Sequence, residues 1–459
     1  MVEHRLHDPS RTNAWHIEKN GVNPVPGEER RGSPRNVFWI WFAGNLNITL
    51  IVVGAVIFSF GLSFWQSLIP LVGLFSFVLV GYFGLPGMET GQPTMVLSAQ
   101  SFGRVANKAP SLISWLNLVG WETVMLVIAV FASESTLALA FHMPFGTPSI
   151  LISLGVVTIA AFTVAFLGHA TIVVIQTLFS YLFGVMTIGV FILLLPHVHW
   201  AALMSAKDGS WLRGVIPATS IVIAASGLSW VNTASDYTRY LPAGTSHRKV
   251  VGATTWGAVI PGVFLMGLGV LLASSMPSLD SAANPVSIID HVLPAWAAIP
   301  YLLVAIGGII TADILDVYSS GMSLLALGIK IPRSRTIFVD AALSIAASLF
   351  ILLRAQSFIG TFEAFLTLLA GVLAPWAAIF LWDSRKIVAQ GSYRIPNVRL
   401  SALIAWLLGL CVSLATTSTE IFTGPLARGI FADSSLGFIL GFAVTLVVYA
   451  LLSAVPQLE

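Results

Sequence analysis

About a dozen apolar stretches run through this chain of 459 residues, each near the roughly 20 residues that an α-helix needs to cross the hydrocarbon of a bilayer. They lie near 37–60, 62–84, 109–140, 149–167, 171–196, 215–235, 250–275, 296–329, 336–354, 360–382, 400–419 and 434–455. The period-two alternation of an outer-membrane barrel is absent, so the class is all-α integral membrane with about 12 transmembrane helices. Composition agrees. Only 9% of residues are charged and 56% are hydrophobic, with a mean hydropathy of +0.89, whereas about a quarter of a soluble domain is charged.

Residues 1–36 are polar and lack an apolar h-region, so they read as a tail and not as a cleaved signal peptide. A single membrane domain over 37–455 follows. If the tail is cytoplasmic, it and the loops on its side hold 18 of the 22 Lys and Arg, leaving only Lys207, Arg213, Arg354 and Arg428 opposite. That bias is the positive-inside rule, and it places both termini in the cytoplasm of a multi-pass protein of the cell (inner or plasma) membrane. No basic patch suggests nucleic acid. The one cysteine, Cys411, excludes a disulfide framework and a thiolate metal site.

The first apolar stretch is interrupted near its middle by Gly44-Asn45-Leu46-Asn47. Backbone that departs from helix at membrane depth is tolerated only where it faces protein or a watery cavity, and in secondary transporters such breaks line substrate and ion sites. A second interruption, Ala225-Ser226-Gly227-Leu228-Ser229, falls in the sixth stretch. Paired breaks suggest an inverted repeat of 37–196 and 215–382, followed by two extra helices over 400–455. The plainer alternative is that Gly and Ser only let helices pack closely. Gating or re-entrant elements are expected in the longer links 84–108, 197–213 and 276–291.

Several motifs carry a resemblance. Pro24-Val25-Pro26, Ala43 to Asn47, Gly91 to Pro93 with Ser101-Phe102-Gly103, Gly120-Trp121, Ser235 to Pro242, Asp316 to Gly321, and Leu373-Ala374-Pro375 with Asp383 occur in order over about 21–385. Together they resemble the purine-cytosine permease branch of the nucleobase cation symporters. The resemblance implies twelve spans, the first ten in a five-plus-five inverted repeat, and symport of a small planar heterocycle with H+ or Na+, without a further cofactor. Such a ligand needs an aromatic face for stacking and a few amides or carboxylates to read its edge.

The resemblance makes Trp121 the expected stacking platform, because related transporters hold a substrate-stacking tryptophan there. Asn117 lies one turn earlier on the same face. Met125, one turn later, replaces an amide common in the family. Glu122 is about 100° round the helix from Trp121 and sits in an apolar run, where a carboxylate marks a pathway, a relay or a paired polar contact. In the sixth stretch Ser226, Gly227, Leu228 and Ser229 can offer backbone groups, and Trp230 can wall the pocket or pack on a neighbour. Asn47 is expected to turn its amide to the substrate.

In the eighth stretch Asp313 and Asp316 are three apart and share a face, where two charged carboxylates are hard to hold together. Asp316 falls where related transporters have a ligand-contacting amide. The sodium site of the wider superfamily maps onto Ala43, Leu46, Gly307 and Thr311, hard oxygen ligands for a hard cation. One hydroxyl is missing, since Ile310 precedes Thr311. Coupling by protons through Glu122, Asp313 or Asp316 is therefore the favoured expectation. Asp236 and Arg239, three apart, read as a helix pair or latch. His197 and His199 read as interfacial residues, and Pro375 as a kink in the tenth span.

No HExxH, GxSxG or Walker motif and no Cys/His cluster points to an enzyme. A channel would show a ring of like charges or a repeated filter loop. Within transport, carriers of hydantoin or allantoin, or of a vitamin such as pyridoxine or thiamine, remain alternatives. A monomer is expected.

Overall fold

The computed structural model describes residues 21–455 apart from 168, 199, 275–283, 288, 290, 291, 356, 391–394 and 433. The first apolar stretch forms α1 (Pro34–Asn45) and α2 (Thr49–Ser59), bent by 60° at the break between them. Then come α3 (Phe64–Thr90), α4 (Thr94–Phe102), α5 (Lys108–Phe141), α6 (Thr147–Leu167) and α7 (His169–Leu194). The sixth stretch, Trp211–Thr238, passes through α8 (Ile216–Ile223), an opened turn at Ala224–Leu228, and α9 (Ala234–Thr238). After it lie α10 (His247–Ser274), α11 (Ala295–Ala326), α12 (Arg333–Arg354), α13 (Phe358–Gln390), α14 (Leu400–Ala415) and α15 (Gly437–Leu452). Among the described residues, seven helices long and apolar enough to span, the bent pair and four shorter apolar helices account for the twelve stretches. Among the described residues the extended structure is one isolated bridge, Ser418 with Thr423.

Burial sorts these helices. In the sixth stretch 83% of the most apolar window is buried inside the protein, against 28% in α12. The broken sixth helix is therefore central and α12 peripheral. The broken first helix is clamped from one side by α10. A Cβ on Gly54 would overlap the Met266 carbonyl, and one on Gly269 would overlap that of Ile51, so α2 and α10 cross backbone to backbone. On the other side, α5 and α11 form a long antiparallel pair whose register is fixed by Ser114 Oγ and Ser323 Oγ, 2.9 Å apart.

Two expected boundaries move. The helix of the first stretch starts at Pro34 and not at 37, because Ser33 accepts the Asn36 N–H as an N-cap and Pro34 suits the first helical position. The segment before it is docked: Val25 N–H donates to Gly91 O, Gly32 N–H to Tyr240 O and the Arg30 Nε–H to Leu241 O, each at 2.9 Å. The expected link 84–108 is largely helical, since α3 continues through Pro86 to Thr90 and α4 follows. Proline there is tolerated because the neighbouring α9 serves the nearby backbone. Ser235 donates to Phe83 O at 2.7 Å and Thr238 to Gly84 O at 2.6 Å. Most of the link 276–291 and the side chains of His197 and His199 lie outside the described residues.

Candidate functional site

The first break is a turn pinned by its own amide. Asn47 Nδ2 donates to Gly44 O at 2.7 Å and Oδ1 accepts the Thr49 N–H at 3.0 Å, capping α2. The side chain expected to face a substrate is thus bonded to the break itself. Asn45 Nδ2 donates back to Trp41 O at 2.8 Å. Leu46 O lies 3.8 Å from where a Cβ of Gly308 on α11 would stand.

In the sixth helix the ladder opens at Ser226, whose φ of −115° and ψ of −110° are not helical. Gly227 allows α3 to approach, since a Cβ there would overlap the Ser76 carbonyl carbon. Its N–H donates to Ser76 Oγ at 3.0 Å, and Ser226 Oγ lies 3.2 Å from the same hydroxyl while also bonding to Val222 O. Ser226 and Gly227 therefore seat the break on α3. Ser229 turns the other way: its carbonyl accepts Asn117 Nδ2 at 3.3 Å. Leu228 is buried, and Trp230 packs edge-on against Trp41 with centroids 5.3 Å apart.

The antiparallel register makes Trp121 and Asp316 level. Counting seven residues along α5 from Ser114 and seven back along α11 from Ser323 climbs the same rise. Thr49 and Met125 meet at nearly this height, with the hydroxyl 3.4 Å from the sulfur, so the first break lies level with the pair. Trp121 is walled by Phe362 and Phe365 of α13, both edge-on at 6.0 and 5.7 Å. Around it several buried polar atoms have no hydrogen-bond partner among the described residues. They are Trp121 Nε1, Asn117 Oδ1 and both carboxyl oxygens of Asp316. Buried polar atoms in native proteins are almost always bonded, so an unfilled set of donor and acceptors beside an aromatic face has the character of a ligand edge.

Glu122 turns away from this group. Its Oε2 accepts the Ser344 hydroxyl of α12 at 2.9 Å. Asp313, like Asp316, is buried with both oxygens unpartnered. Asp236 caps the start of α4, accepting Thr94 N–H at 2.9 Å and its hydroxyl at 3.1 Å. Arg239 donates to Gly21 O at 2.7 Å and Tyr318 Oη at 3.3 Å, tying the N-terminal segment to α11. Pro375 lies within the continuous α13.

Of the expected cation ligands, Thr311 Oγ1 donates to Gly308 O at 2.8 Å, and Gly307 faces the Phe179 ring on α7. A cavity of about 690 Å³ runs along the N-terminal half of the first helix between α7, α9 and α10. Its walls include Asn36, Ile40, Tyr181, Tyr237 and Phe264, and at one point Ala43 and Leu46. Trp121 and Asn117 do not line it. The cavity touches the first-helix half of the cation set, while the Trp121 group is closed.

Sequence reasoning passed over Asp340, which is fully buried on α12 and accepts from Trp115 Nε1 at 2.7 Å and Ser320 Oγ at 2.8 Å. A lone aspartate within an apolar stretch was the signal for it. It also passed over Tyr237, which joins the cavity wall to α11 by donating to Leu315 O at 2.8 Å.

Comparison with known proteins agrees with this geometry. Mhp1, a nucleobase-cation-symport-1 family transporter, superposes with a TM-score of 0.73 in its inward-facing conformation, at 17% identity, covering 96% of this chain and 95% of Mhp1. Its closed conformation with bromovinylhydantoin bound gives 0.70. That likeness gives the fold, an inverted repeat of five helices with broken first and sixth members. By sequence, YxlA of Bacillus subtilis is 26% identical over 472 residues, with 96% of this chain and 97% of YxlA covered. The purine-cytosine permease fcyB of Emericella nidulans is 25% identical, covering 93% and 86%. The family model for permeases of cytosine/purines, uracil, thiamine and allantoin matches residues 24–441, and the chain belongs to that family of multi-pass membrane transporters.

Proposed function

We propose that this protein imports a planar nucleobase-like heterocycle, cytosine or a purine, by alternating access. The observation that carries the reading is the unfilled polar set, Trp121 Nε1, Asn117 Oδ1 and the Asp316 carboxyl, beside a buried indole at the level of the helix break. The indole offers a stacking face. Asn117 Oδ1 accepts an N–H from the ring edge, and Asp316 accepts another from a ring nitrogen or exocyclic amine. The sixth-helix break frames the opposite edge, its Ser229 carbonyl holding Asn117 by Nδ2 so that Oδ1 stays open. The purine-cytosine name carried by fcyB supports this cargo.

Coupling is by protons, through the unpartnered carboxyls Asp313 and Asp316 and through Glu122, because intramembrane acids by default mark proton or ion routes. Sodium is the second reading, favoured by the cavity that reaches Ala43 and Leu46, opposite Gly307 and Thr311. The cavity serves as the cytoplasmic vestibule, with both termini on that side, and the monomer in the cell membrane is the working unit.

A thermal-shift panel of nucleobases, hydantoins and vitamins on purified protein, run in sodium and in choline, tests the reading. Ligand at about a hundredfold its Kd stabilises by roughly 2.7 kcal/mol, an easily read shift. Cytosine or a purine should stabilise in both salts. Stabilisation by a hydantoin or vitamin alone would overturn the nucleobase assignment, and stabilisation only in sodium would overturn proton coupling.

A further inference from the structure

The cavity beside the first helix has an inner wall of packed protein and an outer side left open. On the inner side Ile40, Ala43 and Tyr237 are buried, Tyr237 being only 2% exposed. On the outer side Trp39 of α1, Tyr181, Val185 and Ile188 of α7, and Ile260 of α10 line the same space, yet Val185 is 69% and Tyr181 61% exposed. Beyond Ile188, Phe191 meets Phe264 with ring centroids 5.6 Å apart and bridges α7 to α10. Short of that bridge the space between the two helices is the cavity, floored by α1. Its open side is continuous with the outer surfaces of α7 and α10, where Leu182 and Val263 are exposed too.

That outer side suits hydrocarbon better than water. None of the residues lining the cavity is acidic, and of the lining residues Arg31 alone carries a full charge. Aliphatic and aromatic side chains held open at membrane depth gain from a chain that takes the place of water. At about 690 Å³ the space lies within the roughly 300–1,000 Å³ of small-ligand pockets. The rim is opposite in character. Arg31 stands there with its Nε–H donating to Glu28 O at 2.9 Å, and Arg35 lies one turn before Trp39 on the same face of α1. Both arginines are exposed, and the acids of the preceding turn, Glu28 and Glu29, do not line the cavity. The first turn of α10 adds Arg248 and Lys249 on the same side, just after the point where Gly32 N–H bonds to Tyr240 O.

We propose that the outer half of this cavity is a lipid site. An anionic phospholipid of the adjoining leaflet lays one acyl chain between α7 and α10, against Trp39, Val185 and Ile260, and sets its phosphate beside Arg31 and Arg35. A basic rim over a gap between spanning helices is the arrangement that binds anionic headgroups, and Trp39 and Tyr181 are side chains suited to the boundary between chain and headgroup. The chain supplies the wall that the protein leaves open, while the buried inner side, from Ile40 to Tyr237, is left to the cargo. The site goes beyond the transport reading, and it requires neither a particular cargo nor a particular coupling ion.

Native mass spectrometry of the purified, delipidated full chain tests this by bound mass, with phosphatidylglycerol and phosphatidylcholine of identical oleoyl chains offered in turn. Wild type should hold one phosphatidylglycerol roughly thirtyfold more tightly than phosphatidylcholine, the preference that two arginines near a membrane surface confer. Arg31→Gln with Arg35→Gln should erase that preference. Val185→Trp, which fills the outer side and keeps both arginines, should weaken retention of either lipid. All three positions are exposed, so the fold does not rest on them. Equal retention of the two lipids by wild type, or phosphatidylglycerol held unchanged by both variants, would overturn the proposal and leave only annular lipid. Glycerol phosphate, which has the headgroup charge and no chain, should fail to compete; full competition would mean an anion site without a lipid and would equally overturn it. The readout does not involve cytosine, so a failure of the nucleobase reading leaves this result standing.

Discussion

Trp121, Asn117 and Asp316 divide recognition of a flat ring into a face and an edge, and each half can be removed alone. Trp121→Ala should abolish cytosine binding while the protein still inserts and folds, measured by uptake beside membrane fractionation; full uptake would remove the stacking role. Asp316→Asn should change substrate affinity or its dependence on pH, and identical kinetics across the pH range would take Asp316 out of the site. These residues were legible in the sequence for different reasons. Trp121 stood out only through the family resemblance, since membrane tryptophans are mostly anchors or packing. Asp316 stood out physically, as an acid in an apolar helix. The direction of Asn47 was not legible, because a short amide beside a broken turn satisfies the nearest orphaned backbone groups before it reaches a ligand. Glu122 faces α12 simply because it lies about 100° from Trp121 on the same helix.

At the scale of elements, the two breaks are held by different means. The first is stiffened by Asn47 as a cap; the second is seated on α3 through Gly227 and Ser76. Asn47→Ala should cost roughly 0.5–2 kcal/mol through the lost cap of α2. Gly227→Ala should cost about 1–3 kcal/mol by forcing a methyl into the Ser76 backbone. Thermal unfolding in detergent checks both, and an unchanged midpoint for Gly227→Ala would mean that the close approach to α3 is not required. Polarity within an apolar run was enough to locate both breaks to within a few residues. The helical run through Pro86 was harder to foresee, because its tolerance depends on Ser235 and Thr238, about 150 residues away in sequence. The polar stripe of α12, Thr336, Asp340, Ser344 and Ser348, was readable as an i, i+4 pattern, but only packing against α5 and α11 shows that it faces inward.

For the whole molecule, the asymmetry between a closed Trp121 group and a cavity along the N-terminal half of the first helix is what a carrier open to one side presents. With Cys411 replaced by alanine, Ile40→Cys on the cavity wall should react with an impermeant maleimide from the cytoplasmic face. Labelling only from the outside would reverse the vestibule assignment. The central claim, that a single site is exposed alternately to the two sides, is tested most directly by counterflow in proteoliposomes. Vesicles preloaded with unlabelled cytosine should draw in labelled cytosine transiently above its equilibrium level, and uptake that ignores the internal cytosine would contradict the carrier account.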